Sequence, residues 1–152
     1  MANQKHLDIF KSGRDAWNKW REDNEGLEPD LSGTKLLVRA KLAGFNLRHT
    51  NFEGTDLREA KIDVSDLSGA DLRKADLRHA TCRGVSLIGA NLARANLREA
   101  EVTTTLFGWV HVDCPDSIHI IPCGTILTGA DFTEAEIAGC FFPRPISATQ
   151  SG

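Results

Sequence analysis

Four residues in one short stretch have the chemistry of a metal site. His111, Cys114, His119 and Cys123 are spaced H-x2-C-x4-H-x3-C. Neutral imidazole and thiolate are ligands that zinc prefers, and four of them would close a tetrahedral structural site. The spacing is close to that of a small zinc knuckle but is not a standard signature. The same residues also read as a Cys114–Cys123 disulfide stapling a loop, or as free thiols beside surface histidines. A cytosolic setting disfavours the disulfide. The expectation is free thiols, with no metal and no cofactor assigned.

A second set carries charge. Arg58, Arg78 and Arg98 recur at intervals of twenty. Asp56, Asp76 and Asn96 recur with them, as do Glu59, His79 and Glu99, while Arg73, Lys74 and Arg94 stand nearby. The plain reading is an exposed ladder balanced by acids, because like charges side by side destabilise a sheet. The sharper reading is a face that binds an anion or a protein. Arginine suits that role because its fork meets carboxylate or phosphate bidentately. The candidate partner-binding face is Arg58, Arg73, Lys74, Arg78, Arg94 and Arg98.

A third set imitates paired catalytic carboxylates: Asn46, Asn51, Asp56, Asp66, Asp71, Asp76, Asn91 and Asn96. Their spacing is regular, however, and short Asx side chains bond backbone N–H groups at turns. The expectation is a structural role. No Gly-rich phosphate loop and no Ser/His/Asp set stands out. Cys82 reads as an interior residue that packs as a small hydrophobe. The expectation is that the protein is not an enzyme and has no small-molecule substrate.

The regular spacing has a source. From Leu42 an apolar residue returns every fifth position: Leu47, Phe52, Leu57, Ile62, Leu67, Leu72, Leu77, Cys82, Leu87, Leu92, Leu97, Val102 and Phe107. Twelve of the fourteen residues two before these centres are Ala, Ser or Thr, which marks a second, crowded inward position. Period five makes no stripe on a helix at about 100° per residue. On a straight strand it alternates between faces. All centres share one interior only if the chain turns at every repeat. Such a chain winds into stacked coils, and each coil buries its face against its neighbours.

The phrase Ala-(Asp/Asn)-Leu-X-X, as in Ala70-Asp71-Leu72 and Ala90-Asn91-Leu92, resembles the pentapeptide-repeat family. The resemblance covers roughly residues 30–142 and implies an all-β solenoid. Its form would be a right-handed quadrilateral β-helix of about five coils, with four pentads in each. It is nearly silent on function, because a shared fold does not imply a shared activity. Some members imitate duplex DNA and act on gyrase through an acidic rod. This array departs from them: residues 39–101 hold eleven Lys/Arg against nine Asp/Glu.

Around the array the sequence gives three expectations about organisation. Residues 1–28 should form a capping helix and linker, with Leu7, Phe10, Trp17 and Trp20 on one face of a helix over 4–23 that Gly13 weakens. Such a cover keeps the open end of a solenoid from templating aggregation. Residues 29–142 should be the β-helix, and 143–152 a polar tail. Leu31 and Leu36 are one residue out of frame with Leu42, which predicts a bulge near 37–39. The twenty residues from Phe107 to Leu127 match one coil. On that count 108–124 is a coil bearing a loop around Pro115–Pro122, and Val112 lies between Leu92 and Phe132 in one column.

Net charge is −3, no stretch approaches a membrane span of about 18 apolar residues, and no signal-peptide core is visible. The expectation is a cytoplasmic scaffold that binds an unidentified protein partner, as a monomer or weak dimer, with nucleic acid and membrane excluded as partners. The alternatives are a gyrase-interacting DNA mimic and a metal- or redox-responsive module through 111–123.

Overall fold

The computed structural model describes residues 1–103, 105, 110–111, 125–126, 131, 133–134 and 136–138. It contains helices α1 (Gln4–Lys11) and α2 (Arg14–Asp23) and short strands β1 (Glu101–Thr103), β2 (Val110–His111), β3 (Thr125–Ile126) and β4 (Glu136–Ala138). The zinc-like set beyond His111, Val112, the Pro115–Pro122 loop and the tail from Pro143 lie outside the described residues.

Between residues 40 and 103 the architecture follows from one corner residue per pentad. Every fifth residue from Arg39 to Glu99 has positive φ, whether it is Gly44, Gly54 and Gly69 or a charged residue such as Glu59 and Lys74. At every corner but Gly84 the preceding inward centre has a carbonyl that accepts from the N–H three residues on, as in Ala60 N–H to Leu57 at 3.1 Å and Ala70 N–H to Leu67 at 3.0 Å. That is the hydrogen bond of a turn with a left-handed third residue. The chain therefore bends the same way every five residues.

After four bends it lies on its own previous coil. Parallel pairing runs Lys41 to Lys61, Asn46 to Asp66, Asn51 to Asp71 and Asp56 to Asp76, each twenty residues apart. The residue before each centre turns both backbone groups toward the preceding coil. Asp66, for example, donates to Phe45 at 3.1 Å and accepts from Leu47 at 2.8 Å.

Inside, the centres from Leu42 to Val102 are buried, and so are Ala60, Ala70, Ala75, Ala80 and Ala90 two residues earlier in their pentads. Polar residues at that second position donate to carbonyls of the coil before: Thr55 Oγ1 to Leu31 at 2.9 Å and Thr105 Oγ1 to Cys82 at 2.7 Å. Burial without an unmet hydroxyl explains why Ser and Thr are tolerated there. Cys82 is enclosed among these side chains, and burial pushes its thiol up to about 12.

The start of the array differs from expectation by one position. Leu37 is buried and Leu36 is 62% exposed, so the frame begins at Leu37. Asp30 pairs with Asn51, twenty-one residues on, whereas Arg39 N–H reaches the usual row through the Arg58 carbonyl. The extra residue therefore falls between Thr34 and Leu37, just before the predicted 37–39.

The N-terminal segment is two helices rather than one. Gly13, at φ 98°, breaks the chain between them and accepts from Trp17 N–H as the N-cap of α2. A residue with a side chain is strained at that φ, which is why the break falls on glycine. Asn3 caps α1 by accepting from the N–H groups of Lys5 and His6. Leu7, Phe10 and Trp17 are buried, with Phe10 edge-on to Trp17 at 5.0 Å and tilted on Phe45 at 5.1 Å.

The C-terminal register corrects the twenty-residue reading of 108–127. Asn96 pairs with Asp131 and Glu101 with Glu136, thirty-five residues apart, while Val110 pairs with Thr125 at a separation of fifteen. Asp131 thus stands in the column of Asn96. A Leu92–Val112–Phe132 column would put it in that of Asn91. The physical reason is arithmetic: fifteen, twenty and thirty-five all preserve a five-residue frame, so centres stay in phase whichever coil length the backbone takes.

Candidate partner-binding face

Three of the six candidate cations have their forks closed on an acid of the same turn. Arg58 holds Asp56 through Nε and Nη2, both at 2.8 Å. Arg78 holds Asp76 at 2.9 and 2.7 Å, and Arg73 holds Asp71 at 2.8 and 2.6 Å. The geometry is local: the Asp carboxylate also accepts the backbone N–H of the residue two on, as in Arg73 N–H to Asp71 at 3.1 Å. That Asx bond aims the carboxylate at the neighbouring guanidinium.

All eight Asx residues make the same backbone bond, to the N–H two residues on. Their regular spacing is therefore structural, as expected. The Asp56 carboxyl lies below its ordinary range chiefly through the Arg58 hydrogen bond. At Asp71 and Asp76 burial pushes upward, but the bonds from Arg73 and Arg78 outweigh it.

Pairs also run between coils. Arg73 reaches Glu53 at 3.2 Å and Lys74 reaches it at 3.0 Å. Arg39 meets Glu59 at 2.7 Å and His79 meets Glu99 at 3.2 Å. Arg83 holds Asp63 at 2.8 Å, and Arg48 holds Asp66 at 3.2 Å. These are exposed or half-exposed pairs, each contributing at most about 1 kcal/mol. Their main effect is to leave the wall nearly neutral.

Arg94 and Arg98 stand apart. Arg98 has Asn96 where Arg78 has Asp76, and an amide offers no negative charge to a guanidinium; Arg94 stands where Lys74 stands one coil earlier, and Arg73 takes the place of its acid, Glu53. Among the described residues neither arginine has a carboxylate within ion-pair distance; Asp131 only feels the charge of Arg98. The structure thus separates the six: Arg58, Arg73, Lys74 and Arg78 are engaged internally, and Arg94 and Arg98 are available.

Sequence reasoning missed a second pair of available cations. Lys41 and Lys61 are exposed and directly paired in register, and among the described residues neither has a carboxylate partner. The signal was present: both occupy the pentad position that Asp or Asn fills elsewhere.

The family model for pentapeptide repeats matches residues 37–73 and 65–103, with eight copies. No curated protein matches the chain. Among solved structures, trypsin-treated QnrB1, a plasmid-mediated fluoroquinolone resistance protein, is 15% identical over 74% of this chain and 53% of its own, with a TM-score of 0.53. The chain thus spans about half the length of that protein, and at this identity the likeness is one of fold. A pentapeptide repeat protein from Nostoc is 22% identical over 96% of this chain and 88% of its own, with a TM-score of 0.42. Another, from the thylakoid lumen of Arabidopsis thaliana, is 27% identical over 77% and 66%, with a TM-score of 0.33.

Proposed function

Residues 37–103 make this chain a pentapeptide-repeat protein, and from that premise we propose that it is a non-enzymatic scaffold that binds another protein through its outer wall. The finer architecture we infer is a right-handed square solenoid of about five coils, closed at its N-terminal end by α1 and α2. One observation carries the functional reading. Among the described residues, Arg94 and Arg98 lack the acids that pair their equivalents Lys74 and Arg78 one coil earlier. The other arginines of the coils are paired with acids, and paired arginines have little to offer a partner. Free guanidinium forks on a rigid backbone suit surface carboxylates of a partner protein, since little order has to be gained on binding.

The near-neutral wall gives no support to imitation of duplex DNA. Among the described residues no helix is long and apolar enough to cross a membrane. The test is affinity capture from a cell lysate with the unaltered protein and with Arg94→Glu/Arg98→Glu. A protein retained by the first and lost by the second supports the reading. Capture that is indifferent to this change, but abolished by Arg58→Glu/Arg78→Glu, overturns the assignment of the face.

A further inference from the structure

We propose that the stretch of the N-terminal rim around Lys41 is a docking edge, where an extended acidic segment of a partner protein adds as a strand. The starting point is how the first coil ends. Its outward N–H and C=O groups face the place where an earlier coil would lie. At Asp30 both are met: His6 Nδ1 accepts from the N–H at 3.0 Å, and Asn3 N–H donates to the carbonyl at 2.9 Å. At Asn46 both are met again, by Asn18 Oδ1 at 2.8 Å and Trp17 Nε1 at 2.7 Å.

Lys41 lies between them in the chain and is equivalent by register, since it pairs with Lys61 as Asn46 pairs with Asp66. No group of the described residues meets its N–H or C=O. Beside it, between the α1–α2 turn and the coil, is an open groove of about 380 Å³, lined by Ser12, Gly13, Arg14, Lys41 and Phe45 among others. An unpaired backbone edge facing an accessible groove is the geometry of strand addition.

Charge selects the occupant. Lys41 and Lys61 are adjacent like charges, an arrangement that disfavours the sheet and that a carboxylate set beside Lys41 on the rim offsets. Arg14 and Asp15 border the same groove but are paired with each other at 2.9 Å. Earlier in the first coil, Lys35 is exposed and has no acid partner among the described residues, and Leu36 beside it is 62% exposed. An extended peptide puts alternate side chains on one side. The acidic residue opposite Lys41 would therefore lie next to its ammonium, with Lys61 one coil further in. This surface is separate from Arg94 and Arg98, so either assignment can fail alone.

The probe is a blocked hexapeptide of alternating Val and Glu, titrated into the full chain labelled with nitrogen-15. The Lys41 amide resonance should shift saturably, with a Kd on the order of 0.1–1 mM for so short a strand. Lys41→Glu/Lys61→Glu should weaken binding at least tenfold, and should bind the matching Val/Lys peptide instead. N-methylation of the peptide backbone should abolish binding. A Lys41 amide that stays unmoved at millimolar peptide overturns the proposal. So does equal binding of the Val/Glu and Val/Lys peptides to the unaltered protein, or undiminished binding of the N-methylated one.

Discussion

The middle of the array and its N-terminal rim solve the same problem with different groups. In the middle, Asp66 finds its partners in the backbone of the preceding coil, Phe45 and Leu47. At the rim, Asn46 presents the same N–H and C=O to a side-chain amide and an indole N–H. Arg21 adds a bond to the Arg48 carbonyl at 2.9 Å, and Asn18 Nδ2 one to that of Gly44 at 3.0 Å. Repetition supplies partners at no extra design, because every coil is a copy of the last. A rim has no copy to lean on, so each group needs a particular residue at a particular place.

The comparison predicts that the two regions break differently. The largest effect belongs to the interior. Leu72→Asp buries an unpaired carboxylate in the middle of the stack and should cost about 4 kcal/mol or more, abolishing the folding transition. Arg73→Asp, one residue on and outward, loses only exposed, solvent-screened ion pairs and should leave the folding transition in place. Chemical denaturation of both variants checks this.

The C-terminal register comes next. Removing the fifteen residues Val110–Gly124 takes out one separation of the Val110–Thr125 pairing and leaves thirty-five reduced to twenty between Asn96 and Asp131. That deletion should retain a cooperative thermal transition, and a deletion of ten residues from the same stretch should lower its midpoint further.

The rim should respond to the loss of a single donor. Trp17→Ala should cost about 3–5 kcal/mol by leaving a cavity. Trp17→Phe keeps most of the packing and strands the Asn46 carbonyl, for about 1–3 kcal/mol.

The rim should also respond to pH. His6 is buried against Trp20, and burial is the main cause that lowers its pKa below 6.5; Lys5 and Arg21 act in the same direction and Asp30 opposes them. Its Nδ1 accepts a hydrogen bond, which only the neutral ring does. The unfolded chain therefore takes up the proton more readily. The His6 contribution is complete above pH 6.5 and is lost as pH falls through 6.5 toward the lower folded value. The paired carboxylates of the wall lose theirs only below about 3.8, so the two windows separate. Stability measured from pH 7.5 to 5 should fall for the unaltered protein and stay flatter for His6→Gln.

The smallest effect sharpens the corner rule. Val64 is β-branched, exposed and at φ 52°, where its column neighbours are Gly44 and Gly84. Val64→Gly should stabilise by about 1 kcal/mol, relieving the left-handed strain.

What the chain discloses in its letters follows the same division. The inward frame from Leu42 to Val102 was legible because one physical requirement, a common interior, acts on every fifth residue. The Asx bonds were legible because a short polar side chain has few partners other than nearby N–H groups. The exposure of Leu36 was not, since two adjacent leucines fit the frame by type and only backbone pairing chooses Leu37. The split at Gly13 was visible as weakness but not as a break. The division of the six cations depended on Asn96 replacing Asp76 and on Arg73 standing in the place of Glu53 one coil on, differences readable only once the coils are aligned. The thirty-five-residue step lay beyond reach, because the pentad phase is blind to multiples of five.

Amide hydrogen exchange along the first coil tests the central claim most directly. Asp30, Lys41 and Asn46 occupy equivalent places on one rim, and only the first and third have partners in α1 and α2. The N–H groups of Asp30 and Asn46 should exchange slowly, and that of Lys41 near the rate of an unprotected amide. Asn18→Ala should release Asn46 while Asp66, one coil on, stays protected. Equal protection at all three rim positions, or loss at Asp66 together with Asn46, would contradict the account.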